Sequence, residues 1–215
     1  AKTLNEENLE ALQKGIVNLE AHIENIKNVF RIPVVVCINR FYTDSASELD
    51  YIKNYCNNLG IRAIMSDAFT KGGAGAEKIA EAIVKAANTK SENAFCYELE
   101  DDIKTKIEKV VKRIYGGDKV EYTEQAENDI LEATQNGYQK LAICIAKTQF
   151  SLSPDKNILG RPKGFTFSVK EVNVRAGAGF LVVQCGSVML MPGLPKNPMA
   201  YSMTIDKDGV IEGLS

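Results

Sequence analysis

Between Pro33 and Asn39 the sequence places Val34-Val35-Val36-Cys37-Ile38, a β-branched apolar run with no polar residue in it. A run this short is no ordinary helix, and its lack of alternation marks a strand buried on both faces, as in a parallel sheet. Such a strand must be covered by helices and joined to its neighbour by a crossover. The flanking sequence provides both. Before it, Leu9, Leu12, Ile16, Leu19, Ile23, Ile26 and Phe30 recur at alternating spacings of three and four. That pattern predicts one long helix with a single apolar stripe, stopped by Pro33. The same spacing could seed a coiled coil, but Gly15 lies within it and the strand follows at once, which fits better a helix laid on a sheet.

After the strand, Ser45-Ala46-Ser47-Glu48 forms a capping-box pattern opening a helix through Leu49, Ile52, Tyr55 and Cys56 that ends at Gly60. A strand over Ile61 to Met65, a glycine-bearing loop from Ser66 to Gly75 and a helix from Ala76 to Ala87 follow, the last with Ile79, Ala80, Ile83 and Val84 on one face. This order predicts an α/β unit: a parallel sheet with flanking helices and right-handed crossovers. The small polar stretch Asn88 to Asn93 predicts a boundary, dividing the chain into 1–92 and 93–215. In the second part Ile103, Ile107, Val110, Val111 and Ile114 predict a helix ended by Gly116-Gly117, another helix starts near Thr123, and Leu141 to Ala146 reads as a strand. Short runs at Phe165 to Val169, Phe180 to Gln184 and Val188 to Met191, separated by glycines and proline, predict a mostly antiparallel α+β unit.

With 26 basic and 28 acidic residues intermixed and a formal net charge of -2, the chain has no broad positive field for nucleic acid or an anionic membrane. No apolar run approaches the roughly 18 to 20 residues that span a bilayer, and Ala1 to Glu10 is too polar for a signal peptide. These features read as cytoplasmic. The near-immediate helix also fits a piece of a longer chain. Cys37, Cys56, Cys96, Cys144 and Cys185 lack the paired spacing of a zinc site and read as buried free thiols, so no metal site is expected.

Ligands of open parallel sheets bind beyond the carboxyl ends of the strands. Two loops qualify: Asn39-Arg40-Phe41-Tyr42-Thr43-Asp44 after the first strand and Ser66 to Gly75 after the second. Each sets an aromatic among polar groups, where a flat heterocycle could be stacked, although by pattern alone each aromatic could equally plug the core. Gly72, Gly73 and Gly75 permit close backbone approach or positive φ, and Lys71 could offset an anion. A tight turn into a helix is the simpler reading. No Gly-x4-Gly-Lys-Ser/Thr phosphate loop occurs anywhere in the chain. Arg175-Ala176-Gly177-Ala178-Gly179-Phe180 is followed by no helix, so close strand packing is expected there rather than nucleotide binding. His22 has no partner constellation and reads as structural or exposed, while Glu98, Glu100, Asp101 and Asp102 read as solvating a helix start.

At Ile38-Asn39-Arg40-Phe41 with Thr43-Asp44, and again at Lys71-Gly72-Gly73 and Gly75, the sequence strongly resembles formate–tetrahydrofolate ligases. The resemblance continues through Gly15, Asn18-Leu19 and His22-Ile23, Lys147-Thr148-Gln149, Gly177-Ala178-Gly179-Phe180 and Met191-Pro192-Gly193-Leu194-Pro195-Lys196. It implies a P-loop NTPase-like domain represented here without its phosphate-loop half, followed by a smaller α+β domain at the C-terminus of the enzyme. It implies the reaction of ATP and formate to formyl phosphate, which tetrahydrofolate then attacks to give 10-formyltetrahydrofolate. Magnesium accompanies ATP, nothing is bound covalently, and the partners are the missing N-terminal half and, in the whole enzyme, further copies in a homo-oligomer.

By the same resemblance, Phe41 and Phe69 are the aromatics that hold the pterin, with Tyr42, Lys71, Gly72 and Gly73 beside them. Phe69 stands where the family commonly has tryptophan, and Tyr42 where it commonly has proline. Asn39, Arg40 and Ser66 are nucleotide contacts by looser analogy. No catalytic residue is expected in this chain, and alone it is expected to be inactive. Two other readings stay open: a regulatory nucleotide-binding fragment, against which stands Tyr42 where a guanine reader needs aspartate, and a non-catalytic interaction protein derived from the ligase.

Overall fold

The computed structural model describes residues 6–186, 188 and 195–213. Helix α1 (Leu9–Glu24) starts where the Asn8 side chain accepts the Ala11 amide at 2.9 Å, and its end widens into a π-turn over Asn25–Val29. Six of the seven stripe residues thus lie in one continuous helical segment with a loosened last turn, and Phe30 caps it. Strand β1 (Val35–Asn39) and strand β2 (Arg62–Ser66) pair in parallel, Val36 opposite Ala63 and Asn39 opposite Ser66. Helix α2 (Ala46–Asn58) connects them, opened by the expected box: Ser45 Oγ accepts the Glu48 amide, and the Glu48 carboxylate accepts the Ser45 amide. Ile23, Ile38, Leu49, Cys56, Ile61 and Ala63 form the core between these helices and the sheet.

Two expectations for this region need correction. Among the described residues β1 has β2 as its single neighbour, so Val35 and Val36 are half-buried, Cys37 is exposed, and only Ile38 of the apolar run is buried. Helix α3 (Ala68–Lys71) is a short turn within the glycine loop, and helix α4 (Glu77–Ala87) follows. It turns Ile79, Ala82 and Ala86 inward and leaves Ala80, Ile83 and Val84 exposed, because alanine at the contact lets the helix approach a narrow two-stranded sheet closely.

Helix α5 (Ile103–Val110) is capped by Asp102, whose carboxylate accepts the Thr105 amide, and also ends in a π-turn, Val111–Tyr115, closed by Gly116 at φ 81°. The second sheet has the order β3-β5-β6-β4: β3 (Lys119–Tyr122), β5 (Thr166–Arg175), β6 (Phe180–Cys185) and β4 (Ala142–Ala146). Helix α6 (Glu124–Gln135), begun at Thr123, lies between β3 and β4 in the chain. With α5 it covers a core of Ile103, Ile107, Val111, Ile130, Phe167 and Leu181, among others. A small antiparallel pair, β7 (Thr204–Ile205) with β8 (Ile211–Glu212), completes the described elements.

This sheet is mixed rather than mostly antiparallel, since β3 with β5 and β4 with β6 are parallel and only the β5–β6 hairpin is antiparallel. The run from Phe165 continues to Arg175, and Arg175-Ala176-Gly177-Ala178-Gly179 is the hairpin turn, with the Gly179 amide donating to Arg175 O at 2.8 Å. A Cβ at Gly177 or Gly179 would meet nothing within 4 Å, so these glycines serve the turn, Gly179 at φ +75°, and not close strand packing. Cys56, Cys96 and Cys185 are buried, but Cys144 is exposed beside Val182 because alternation turns it away from the core side that takes Ile143 and Ile145. The expected strand at Val188 to Met191 lies outside the described residues apart from Val188, which is in no strand. At the edge of β4 that no strand among the described residues pairs with, the Ile143 amide donates to the Tyr97 hydroxyl at 3.0 Å.

The two sheets are joined through α1. Asn25 Nδ2 donates to Ile114 O at 2.9 Å, linking the two π-turns, and Arg161 grips Glu24 through both guanidinium Nη atoms. The Tyr55 hydroxyl donates to Glu20 at 2.5 Å, which pushes its pKa up to about 12. The Arg161 hydrogen bond holds the Glu24 carboxyl below its ordinary 4.5. Its support is therefore complete above that value and lost as pH falls through the lower, folded one. Arg161→Ala should cost about 1 kcal/mol at neutral pH, because the pair is partly exposed, and roughly 2–4 °C in melting temperature. Melting curves at neutral and acidic pH check this: the difference between parent and variant should shrink as Glu24 protonates.

Candidate functional site

Because Asn39 pairs with Ser66, the two strands end side by side and both loops leave the same edge of the first sheet. The Arg40 amide extends the ladder by donating to Ser66 O at 3.2 Å. Phe41 and Asp44 then close a tight turn: the Phe41 amide donates to Asp44 Oδ2 at 2.8 Å and the Asp44 amide to Phe41 O at 3.2 Å. This turn lifts Tyr42 into solvent and leaves Phe41 61% exposed. In the second loop Phe69, on α3, is 91% exposed. Neither phenylalanine belongs to a core cluster of the described residues, so neither plugs the core of this chain.

Between the loops sits a carboxylate that the sequence reading passed over. Asp67 Oδ2 accepts from Lys71 Nζ at 3.0 Å, and Asp67 Oδ1 lies 3.7 Å from Arg40 Nη1. The Lys71 hydrogen bond and charge, then Arg40 and Lys78, hold the Asp67 carboxyl below its usual range. The four-residue spacing of Asp67 and Lys71 was a readable signal; the tie to Arg40 was not, since it crosses between loops. Ser66 is buried, and its Oγ accepts from the Ala68 amide at 3.4 Å, so its hydroxyl is engaged within the turn, while Asn39 and Arg40 are exposed.

The glycines divide in role. Gly72 has φ 59° and ψ -141°, a backbone region open essentially to glycine alone. Gly75 is needed for close approach to its own chain: a Cβ there would lie 2.5 Å from the carbonyl carbon and oxygen of Asp67. Gly73 faces open space at an ordinary φ.

Two cavities flank the strand ends. One, about 430 Å³, is lined by Asn39, Phe41, Thr43, Asp44 and Leu12 among others; the other, about 490 Å³, by Asp67, Lys71, Gly75 and Lys78 among others. Both have the size of small-molecule sites, and Ile38 and Leu49 line both. Phe69 lines neither. A larger cavity of about 620 Å³ lies away from the loops, against β4, walled by Phe30, Phe95, Tyr97, Leu99 and Tyr115 among others. It has an exposed ring in Phe95, but it lacks the convergence of strand ends and cations found at the two loops. Among the described residues no group of three or more His, Cys, Asp or Glu side chains is placed to hold a metal ion. No helix among them is long and apolar enough to cross a membrane. His22 is exposed.

The formate–tetrahydrofolate ligase family model matches residues 1–215. Among curated proteins, formate–tetrahydrofolate ligase of Campylobacter concisus is 50% identical over 207 residues, 96% of this chain and 38% of the relative. The enzymes of that name from Campylobacter curvus and Petrotoga mobilis are each 44% identical, over 100% of this chain and 39% and 38% of their own lengths. The chain therefore spans about two fifths of the length of these relatives. A match over its whole length places the chain in the formate–tetrahydrofolate ligase family.

Proposed function

We propose that this chain supplies the folate-binding part of a formate–tetrahydrofolate ligase, standing at the C-terminal end of the longer protein. The observation that carries the reading is the pair of exposed phenylalanines, Phe41 and Phe69, set just past two parallel strands that end in register. A solvent-facing ring costs hydrophobic free energy that a stacked pterin would recover. Tyr42, Lys71, Gly72 and Gly73 border the pterin, and Asn39, Arg40 and Ser66 stand toward the nucleotide. Residues 1–92 belong to a P-loop NTPase-like sheet completed by the rest of the enzyme, and 93–215 form the following α+β domain; the two separate hydrophobic clusters support that division.

In the whole enzyme, formate attacks the γ-phosphorus of ATP and expels ADP. N10 of tetrahydrofolate then attacks the carbon of formyl phosphate, releasing phosphate and a proton. Steadying the transferring phosphoryl group requires cations and a phosphate loop, and the pattern of that loop does not occur in this sequence. The magnesium–ATP chemistry, the cytoplasmic setting and the homo-oligomer belong to the full-length protein.

The purified chain is accordingly expected to bind folic acid without ATP, and to show neither formate-dependent ATP hydrolysis nor 10-formyltetrahydrofolate formation. Calorimetry and a coupled ADP assay test the two halves. Nucleotide binding without folate binding would favour the regulatory reading, and product formed by the chain alone would overturn the division of labour.

A further inference from the structure

Asp67 occupies the N-cap position of α3, where an aspartate ordinarily accepts a backbone amide, yet its side chain makes no capping bond. Its carboxylate is directed instead to Lys71 of its own loop and to Arg40 of the other. Its backbone is held independently, since its amide donates to Gly75 O at 3.1 Å and the glycine packs directly over its carbonyl. The carboxylate is thus a fixed point with a cation of each loop drawn to it. Arg40 directly precedes Phe41, and Lys71 follows Phe69 by two residues.

We propose that Asp67 is a positioning residue: its carboxylate draws Arg40 and Lys71 together and so sets the spacing at which Phe41 and Phe69 hold a flat ring. This rests on the folate reading given above. Asp67 touches no ligand in this scheme; it acts through the two cations. Both pairs are partly exposed, with Asp67 at 25% and Arg40 at 44% side-chain exposure, so their loss should leave the fold standing while freeing the loops to separate.

The test is folic acid affinity of the chain and of Asp67→Asn and Asp67→Glu, each with its melting temperature. Asp67→Asn keeps the size and removes the charge, and should weaken binding roughly fivefold to tenfold with little change in melting, as expected for exposed ion pairs. Asp67→Glu, one methylene longer but still anionic, should recover most of that loss, which a role in backbone packing would not permit. If Phe41→Ala and Phe69→Ala lose affinity while Asp67→Asn binds like the parent, the positioning role is wrong and the folate site stands. If Asp67→Asn and Asp67→Glu are equally impaired, charge is not what Asp67 contributes, and the proposal is likewise overturned. A parent chain that does not bind folic acid overturns both readings.

Discussion

The chain carrying Phe41→Ala and Phe69→Ala together should melt close to the parent and bind folic acid roughly fivefold to 150-fold more weakly. Each aromatic stacked on a ring contributes about 0.5 to 1.5 kcal/mol beyond its area burial, so losing both removes about 1 to 3 kcal/mol. The near-constant melting temperature follows from exposures of 61% and 91%, which leave little core contact to lose. Phe167 supplies the contrast. It is fully buried, stacks on Tyr115 with ring centroids 5.6 Å apart, and its truncation should cost about 3 to 5 kcal/mol. Calorimetric affinity and melting, measured on the same samples, separate the two behaviours. A double variant that melts many degrees low, or that binds like the parent, removes the clamp.

Gly75→Ala should have the larger structural effect. The new Cβ would stand 2.5 Å from two backbone atoms of Asp67 and 2.8 Å from the Ala68 nitrogen, and none can yield without disturbing the Asp67 amide bond to Gly75 O. Overpacking of this kind costs about 1 to 3 kcal/mol, or roughly 2 to 12 °C in a chain of this length. Since Phe69 and Lys71 ride on the displaced segment, folic acid binding should fall with it. Gly73→Ala is the control: it should melt like the parent, so that any loss of affinity reports contact between Gly73 and the ligand. Equal melting of both variants would mean that the loop does not pack over Asp67.

Local pattern carried much of this fold into the sequence. The stripe from Leu9 to Ile26, the box at Ser45 and the helix starts near Asp102 and Thr123 depend on neighbours within one turn, and each is where the local pattern put it. What escaped depends on distant partners. Strand β3, Lys-Val-Glu-Tyr, is short and half polar, and only Phe167 and Val169 beside it give it a place. Glycine and proline punctuation suggested hairpins, but the parallel pairing of β4 with β6 joins residues nearly forty positions apart, which no local signal records. At the site, the two loops were legible from strand ends alone, but whether their aromatics face solvent or plug the core was not, because that depends on what packs over each loop. Nor was the Asp67 bridge, because Arg40 reaches it only once the strands are in register.

The Tyr97 hydroxyl on the Ile143 amide bears on how the chain behaves in company. A bare edge strand offers a row of unpaired amides on which a foreign strand can grow, the first step toward a fibril. Here the template is broken at Ile143, the second residue of β4. An intruding chain would have to expel a phenol that is tethered only one residue from buried Cys96, so this margin of the molecule resists recruitment without any charge placed along it.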